Sequence, residues 1–298
     1  MQWNQWWATN LLANFHLHLA VVGAGLLAFG AVWRRWFQAG IGALIILANV
    51  GLIASQLPPP AAAALPGQVT LRVMTLNVLF DNRKVGALRD HIAGLKPDVV
   101  LLQEVNRRWN RDLPVLEDLY PHRLSLTDAG PLLDEHGTVL YSRYPIAETA
   151  RPRLGGVEGR LTAARIAVNG RSLWLASTHL VKPNTPGGQT LQRAQLRDVA
   201  AWADTVDGPL VIGGDFNATV HMPQLAGLLQ NHGFATDLQS DRWWKMAVGT
   251  YPSWLPVLGL KIDHILARGA AIASADIVTV EGSDHRAVVA NIVLPEQR

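Results

Sequence analysis

From Leu11 to Trp33 the chain runs 23 residues without a charged side chain, and after a short basic break Ala39–Leu57 adds 19 more. At about 1.5 Å per residue the first run forms a helix about 35 Å long, enough to cross a hydrocarbon core about 30 Å thick. Between the two lies Arg34-Arg35-Trp36-Phe37-Gln38, which leaves room only for a tight hairpin. Trp3, Trp6, Trp7, Trp33 and Trp36 fall where interfacial aromatics belong. These features predict a two-helix transmembrane hairpin over residues 11–33 and 39–57. The duller alternative is a buried hairpin in a soluble protein. A cleaved signal peptide fits poorly, because MQWNQWW has no basic n-region.

Lys and Arg near the ends of spans tend to stay in the cytoplasm, and the only fixed charges in the first 60 residues are Arg34 and Arg35. Both termini are therefore expected outside. That places residues 70–298 on the periplasmic or extracellular side of a bacterial-type inner membrane, a setting that a chain without cysteine tolerates. His16 and His18, near the outer end of the first span, read as interfacial residues reaching headgroup water, with an intramembrane proton or metal role as the alternative. Gln56–Gly67 (QLPPPAAAALPG) reads as a semi-stiff linker. The expected organisation is an anchor over 1–57, a linker over 58–69 and a second domain over 70–298. Once Arg34 and Arg35 are set aside from the 26 Lys and Arg, the remaining 24 nearly balance the 23 Asp and Glu, so no strong basic field recommends nucleic acid as a partner.

In the second domain, short apolar runs repeatedly end on polar residues of a restricted kind. Leu71–Leu79 carries Asn77, Val99–Glu104 stops on Glu104, Ser172–Leu180 on His179, and Leu210–Asn217 on Asp215 and Asn217. Lys261–Leu266 contains Asp263 and His264, and Gly282–Val289 places Asp284 and His285 before a last strand. Six such elements suggest one site assembled from many strand ends. Helical periodicity over Lys84–Leu95, Gln189–Val206 and Pro223–Asn231 lies between some of them, and Asn169-Gly170 is a hairpin turn signal. A mixed α/β domain of two packed sheets with outer helices follows.

Oxygen ligands without cysteine point to Mg²⁺ or Mn²⁺ rather than a structural zinc. Glu104 is the first candidate ligand, followed by Asn77 and Asp284. A phosphoester also needs an activated water and groups that neutralise its oxygens, a task for which His285 beside Asp263, with His179 opposite, is suited. Gly213 and Gly214 are expected to turn the backbone tightly, presenting Asp215 to a water or metal and Asn217 to a phosphate oxygen. Each residue has a blander reading: Asn77 as a turn cap, Asp263 as a surface acid, His264 as a packed neighbour. Arg143 and His136 are weaker candidates for substrate contact.

LNVL, LQE, STHL, GGDFN, IDH and SDHR, in this order, resemble the endonuclease/exonuclease/phosphatase superfamily, also called the DNase I-like fold, over about residues 70–295. The resemblance implies a four-layer α/β sandwich and in-line hydrolysis of a phosphoester. It further implies that Glu104, with Asn77 and Asp284, binds a catalytic Mg²⁺. Asp215 would orient or deprotonate the water and Asn217 would hold the phosphate. His179 would stabilise developing charge, and His285, oriented by Asp263, would act as the acid/base histidine. A phosphodiesterase or endonuclease is the first expectation, and a lipid-directed phosphodiesterase or phosphatase, of sphingomyelinase or phosphoinositide-phosphatase type, is the alternative. A catalytically silent protein on this fold is disfavoured by the full set of residue types. The expected partners are the phosphoester substrate and the bilayer through residues 1–57, with no protein partner. The apolar stretch Asp241–Lys261, with Trp243, Trp244, Tyr251 and Trp254, is the expected determinant of substrate unless it is simply core or a lid.

Overall fold

The computed structural model of the chain describes residues 7–55, 68–125, 137–238 and 247–295. Trp3, Trp6, the linker through Gly67, His136, Trp243 and Trp244 lie outside the described residues. The chain starts with α1 (Trp7–Leu12), a 3-10 turn (Ala13–Phe15), α2 (His16–Val32) and α3 (Trp36–Ser55). Trp7–Val32 and Trp36–Ala54 have mean hydropathies of 1.8 and 2.0 and are long enough to cross a bilayer. Small residues let α2 and α3 approach to backbone contact, since a Cβ on Gly30 would overlap the Ala39 backbone. Val32, Leu44 and Leu47 point outward, 74%, 68% and 70% exposed.

The first apolar helix starts at Trp7, ahead of the expected Leu11, and carries a 3-10 distortion on its way to Val32. Residues 13–15 break the α-helical run, and the Asn14 side chain accepts a 2.8 Å hydrogen bond from the Thr219 amide in the second domain. The two histidines expected to reach headgroup water have protein partners instead. His16 Nδ1 lies 2.7 Å from Asn49 Oδ1 of α3, and His18 Nε2 lies 2.6 Å from the Leu258 carbonyl.

The second domain follows as β1 (Thr70–Asn77), α4 (Val85–Leu95), β2 (Val99–Val105), α5 (Arg107–Asp112), β3 (His122–Ser125), β4 (Gly137–Ser142), β5 (Ile146–Ala150) and β6 (Leu161–Val168). It continues through β7 (Arg171–His179), α6 (Pro186–Asp204), β8 (Leu210–Asp215), α7 (Pro223–Asn231), β9 (Ala235–Thr236), β10 (Asp263–Arg268), β11 (Ala271–Thr279) and β12 (Arg286–Val293). Two six-stranded sheets result, ordered β11-β12-β1-β2-β4-β3 and β5-β6-β7-β8-β10-β9. β1 runs parallel to β2 and β7 to β8, each pair joined through a helix as a parallel crossover requires, and the other pairings are antiparallel.

Strand alternation explains the layering. Val73, Leu101 and Leu140 of the first sheet meet Ile166, Leu175, Val211 and Ile265 of the second. The opposite faces are covered separately: Met74 and Leu102 pack beneath Leu88, Ile92 and Trp109, while Ala176 and Ile212 pack beneath Leu196, Val199 and Leu225. The order helix, sheet, sheet, helix is the expected four-layer sandwich. α6 starts earlier than Gln189 because Thr185 caps it, accepting from the Gly188 amide at 3.0 Å, with Pro186 at the first turn. Asn169 and Gly170 both have positive φ, 49° and 81°, as the β6–β7 hairpin turn demands.

Candidate active site

β7, β8 and β10 lie side by side, and their register sets His179 opposite Asp215 and Asp215 opposite Asp263. From the facing sheet, β1 ends on Asn77 beside Gln103 of β2, one residue before Glu104. The two groups meet where the sheets pack. Asn77 Nδ2 donates to Glu104 Oε1 at 2.9 Å and to Asp215 Oδ2 at 3.1 Å, so one amide spans both sheets. His179 Nε2 stands 3.6 Å from Asp215 Oδ2 and 3.9 Å from Glu104 Oε1. His285 Nε2 is 3.8 Å from Asp215 Oδ2, while its Nδ1 donates to Asp263 Oδ2 at 2.9 Å. Asn217 caps the arrangement, its amide N–H donating to Asp215 Oδ1 at 2.8 Å.

Two of these residues occupy backbone conformations that side chains rarely adopt. Glu104 has φ 59° and Asn217 φ 48°. Glu104 sits where the β2–β4 register shifts, between Leu102 and Val105, so a bulge aims its carboxylate at the site. Its second oxygen, Oε2, accepts from the Phe80 amide at 3.1 Å. Gly213 and Gly214 form no turn, contrary to expectation; both lie within β8. They are glycines because of their neighbours. A Cβ on Gly214 would overlap the Thr178 carbonyl of β7, and one on Gly213 would press on Leu101 of the facing sheet.

The electrostatics are strained. Burial pushes the Asp215 carboxyl above the usual carboxylate range; the His285 cation pulls it back, and the Asp263 charge adds to the rise. Burial also opposes charge on His285, yet Asp263 and Asp215 outweigh it and push its pKa up to about 10. Asp215, Asp263 and His285 place ligand atoms within 4.8 Å of one another. Asp284, next to His285, keeps a buried Oδ1 with no hydrogen-bond partner among the described residues. Several buried carboxylates and an unsatisfied oxygen, with no thiol, make a donor set that fits a hard divalent cation. Asn77 differs from the expectation in one respect. Its oxygen accepts from the Leu79 amide at 3.0 Å, so the nitrogen, rather than the oxygen, faces the carboxylates.

Arg143 stays outside the cluster: it pairs with Asp98 at 3.6 Å, at the end of β2 remote from Glu104. His264 is wholly buried, 3.0 Å from the Ala218 carbonyl and edge-on to Phe216. Two contributors were not anticipated. Arg160 is a buried guanidinium, its pKa lowered by burial against the opposing pull of Asp215 and Glu104, and it donates to the His179 carbonyl at 3.3 Å. The Tyr251 ring covers His285, with centroids 4.9 Å apart. No local pattern marks Arg160; Tyr251 was flagged only as part of an aromatic stretch.

β10 is held in place by a buried ion pair. Lys261 Nζ lies 2.7 Å from Asp237 Oδ2, and Asp237 Oδ1 accepts from the Ile265 amide at 3.1 Å. Burial alone would raise the Asp237 carboxyl, but the Lys261 ammonium holds it well below the usual range. A depressed acid contributes its stability above the unfolded pKa of about 4 and loses it as pH falls through the folded value. Asp237→Asn is therefore expected to cost about 3–5 kcal/mol at neutral pH, with the gap to wild type narrowing on acidification below about pH 4. Denaturant unfolding of the detergent-solubilised chain across that range measures it; a pH-independent gap would contradict the assignment.

The sheets and the converging acids and histidines define a phosphoester hydrolase of the metal-dependent kind. Residues 74–285 match the Endonuclease/Exonuclease/phosphatase family, and the chain belongs to it. No curated protein matches the sequence. The endonuclease/exonuclease/phosphatase structure from Beutenbergia cavernae is similar at 23% identity and TM-score 0.61, covering 76% of this chain and 72% of that one. D. rerio TDP2 complexed with single strand DNA product shares 18% identity with TM-score 0.61 over 75% of this chain and 98% of its own. Sphingomyelinase C from Streptomyces griseocarneus shares 17% with TM-score 0.55, over 75% and 99%. These likenesses establish the shared fold.

Proposed function

We propose that this chain is a membrane-anchored, Mg²⁺-dependent phosphodiesterase, with Mn²⁺ as a substitute, whose catalytic domain faces the periplasm or the cell exterior. One observation carries the reading: Glu104 and Asp215, from different sheets, share the Asn77 amide, and each histidine stands within 3.9 Å of one of their oxygens. Glu104 and Asp284 would hold the ion, with Asn77 bracing Glu104. When bound, the ion neutralises charge on the phosphoryl oxygens and favours the hydroxide form of a water. Asp215 orients the attacking water, and Asp215 and His285 together take its proton and return one to the leaving oxygen as its bond to phosphorus breaks. Asp263 keeps His285 oriented and His179 serves the non-bridging oxygens, while Asn217, whose side-chain nitrogen donates to the Leu180 carbonyl at 2.8 Å and to Asp215 Oδ2 at 3.3 Å, braces Asp215.

On substrate, a nuclease is the first expectation and a lipid-directed hydrolase the alternative, and the fold hosts both, as TDP2 with its DNA product and sphingomyelinase C illustrate. A specific observation favours the second reading: the outer end of the anchor lies against the catalytic cleft. Location and metal dependence are tested together. Spheroplasts carrying the full chain are expected to hydrolyse added bis-p-nitrophenyl phosphate without permeabilisation, and only with Mg²⁺ or Mn²⁺. Turnover that persists in EDTA rejects the metal assignment, and turnover that requires permeabilisation rejects the orientation.

A further inference from the structure

A cleft of about 190 Å³ opens beside His285 and Asn217. Leu11, Asn14 and Phe15 line it, although composition assigns all three to the first membrane span. Their position is held by polar contacts to separate parts of the catalytic domain. The Thr219 amide donates to Asn14 Oδ1 at 2.8 Å, Gln189 Nε2 donates to the Trp7 carbonyl at 3.1 Å, and His18 Nε2 meets the Leu258 carbonyl at 2.6 Å. The 3-10 distortion over residues 13–15 lies where the first helix forms a wall of the cleft.

A second, independent feature lies in the loop from Tyr251 to Leu258. Trp254 is 76% exposed and Val257 61% exposed, which is costly for side chains facing bulk water. One part of this loop is fastened to the catalytic residues, because the Ser253 amide donates to the Asp284 carbonyl at 2.7 Å. The other end is fastened to the anchor through His18. Apolar side chains projecting beside the outer end of a membrane helix suit the bilayer interface. The cleft has apolar walls from Leu11, Phe15 and Leu260, and among the described residues Lys182 is the only lysine or arginine lining it. A polynucleotide, whose binding draws on several cations at once, finds little there to hold it.

We propose that the membrane hairpin is part of the active site, with Leu11 and Phe15 selecting amphiphilic phosphodiesters whose head enters the cleft while the tail stays in the bilayer. The proposal rests on the phosphodiesterase reading above and adds the substrate class and the residues that choose it. In the step itself, water oxygen bonds to phosphorus, the phosphorus bond to the leaving oxygen breaks, and that oxygen departs with one proton.

Two probes with the same scissile bond separate tail from head: methyl p-nitrophenyl phosphate and hexadecyl p-nitrophenyl phosphate. Full-length protein reconstituted in phosphatidylcholine vesicles with Mg²⁺ is expected to show kcat/KM at least about tenfold higher for the hexadecyl ester. Leu11→Ala with Phe15→Ala should remove most of that preference, chiefly through KM, while Phe15→Leu, which keeps the apolar wall, should retain it. Because the chain has no cysteine, a dye attached at Trp254→Cys reports depth alone, and it should be quenched by spin-labelled lipid in the vesicles. Equal kcat/KM for the two esters overturns the proposal, as does a preference that survives the double substitution, an unquenched dye, or supercoiled plasmid cleaved with higher kcat/KM than the hexadecyl ester. Failure of the underlying phosphodiesterase reading looks different: Asp215→Ala would then leave turnover of both esters intact.

Discussion

Replacing Asp215 by alanine is expected to lower Mg²⁺-dependent turnover of a soluble phosphodiester by at least about a hundredfold, and His285→Ala to do the same. Asp215 is the hub of the site. It receives the Asn217 amide at 2.8 Å and Asn77 Nδ2 at 3.1 Å, with His179 and His285 at 3.6 and 3.8 Å. Its loss removes the carboxylate that orients water and strands the donors arranged around it. His285 depends on it in turn, because the imidazolium is sustained by Asp263 and Asp215 against the cost of burial. Residues that act as a unit lose activity once, so the double variant should be hardly slower than either single one. Steady-state kcat of the detergent-solubilised full chain measures this. Near wild-type rates in both single variants would move the catalytic centre elsewhere, and fully multiplicative losses would mean the two residues act independently.

The second large effect separates activity from stability at Glu104. Its φ of 59° disfavours every residue except glycine, and it is imposed by the bulge that aims the carboxylate. Glu104→Ala and Glu104→Gly delete the same carboxylate and the same contacts with Asn77 and Phe80, so both should lose at least about two orders of magnitude in hydrolysis. They differ in backbone alone. At an ordinary strand position alanine is the more stable of the two, but here glycine should be more stable by about 1 kcal/mol. Chemical denaturation of the two variants decides the matter. An alanine variant as stable as the glycine one would show that the backbone at 104 carries no strain.

Much of the site was legible because its residues end apolar runs. Asn77, His179 and Asp215 each close a strand and Glu104 is the last but one of its own, and a strand that finishes on a buried polar residue advertises a use for it. The Asn169-Gly170 turn was equally plain, since two successive positive φ values suit few other pairs. Other features depend on residues distant in the chain. Gly213 and Gly214 look like a turn from their own sequence, and only the Thr178 carbonyl and Leu101 explain them as close packing. The bulge at Glu104 depends on its pairing with β4. Arg160 reaches the site through the β6–β7 pairing, with no motif around it. Nothing local marks Asn14, whose partner Thr219 lies about two hundred residues later.

The amino-acid order alone determined that two uncharged helices precede an α/β domain whose strands end in acids, asparagines and histidines, because hydrophobic periodicity and charge placement act over a few residues at a time. Which of those ends share one cavity, which backbone is strained to aim them, and how the N-terminal helices come to wall the cleft were decided only by the packing of two sheets and a hairpin. Contacts between segments far apart in the chain are set by shape and burial across the whole fold, and no local pattern encodes them.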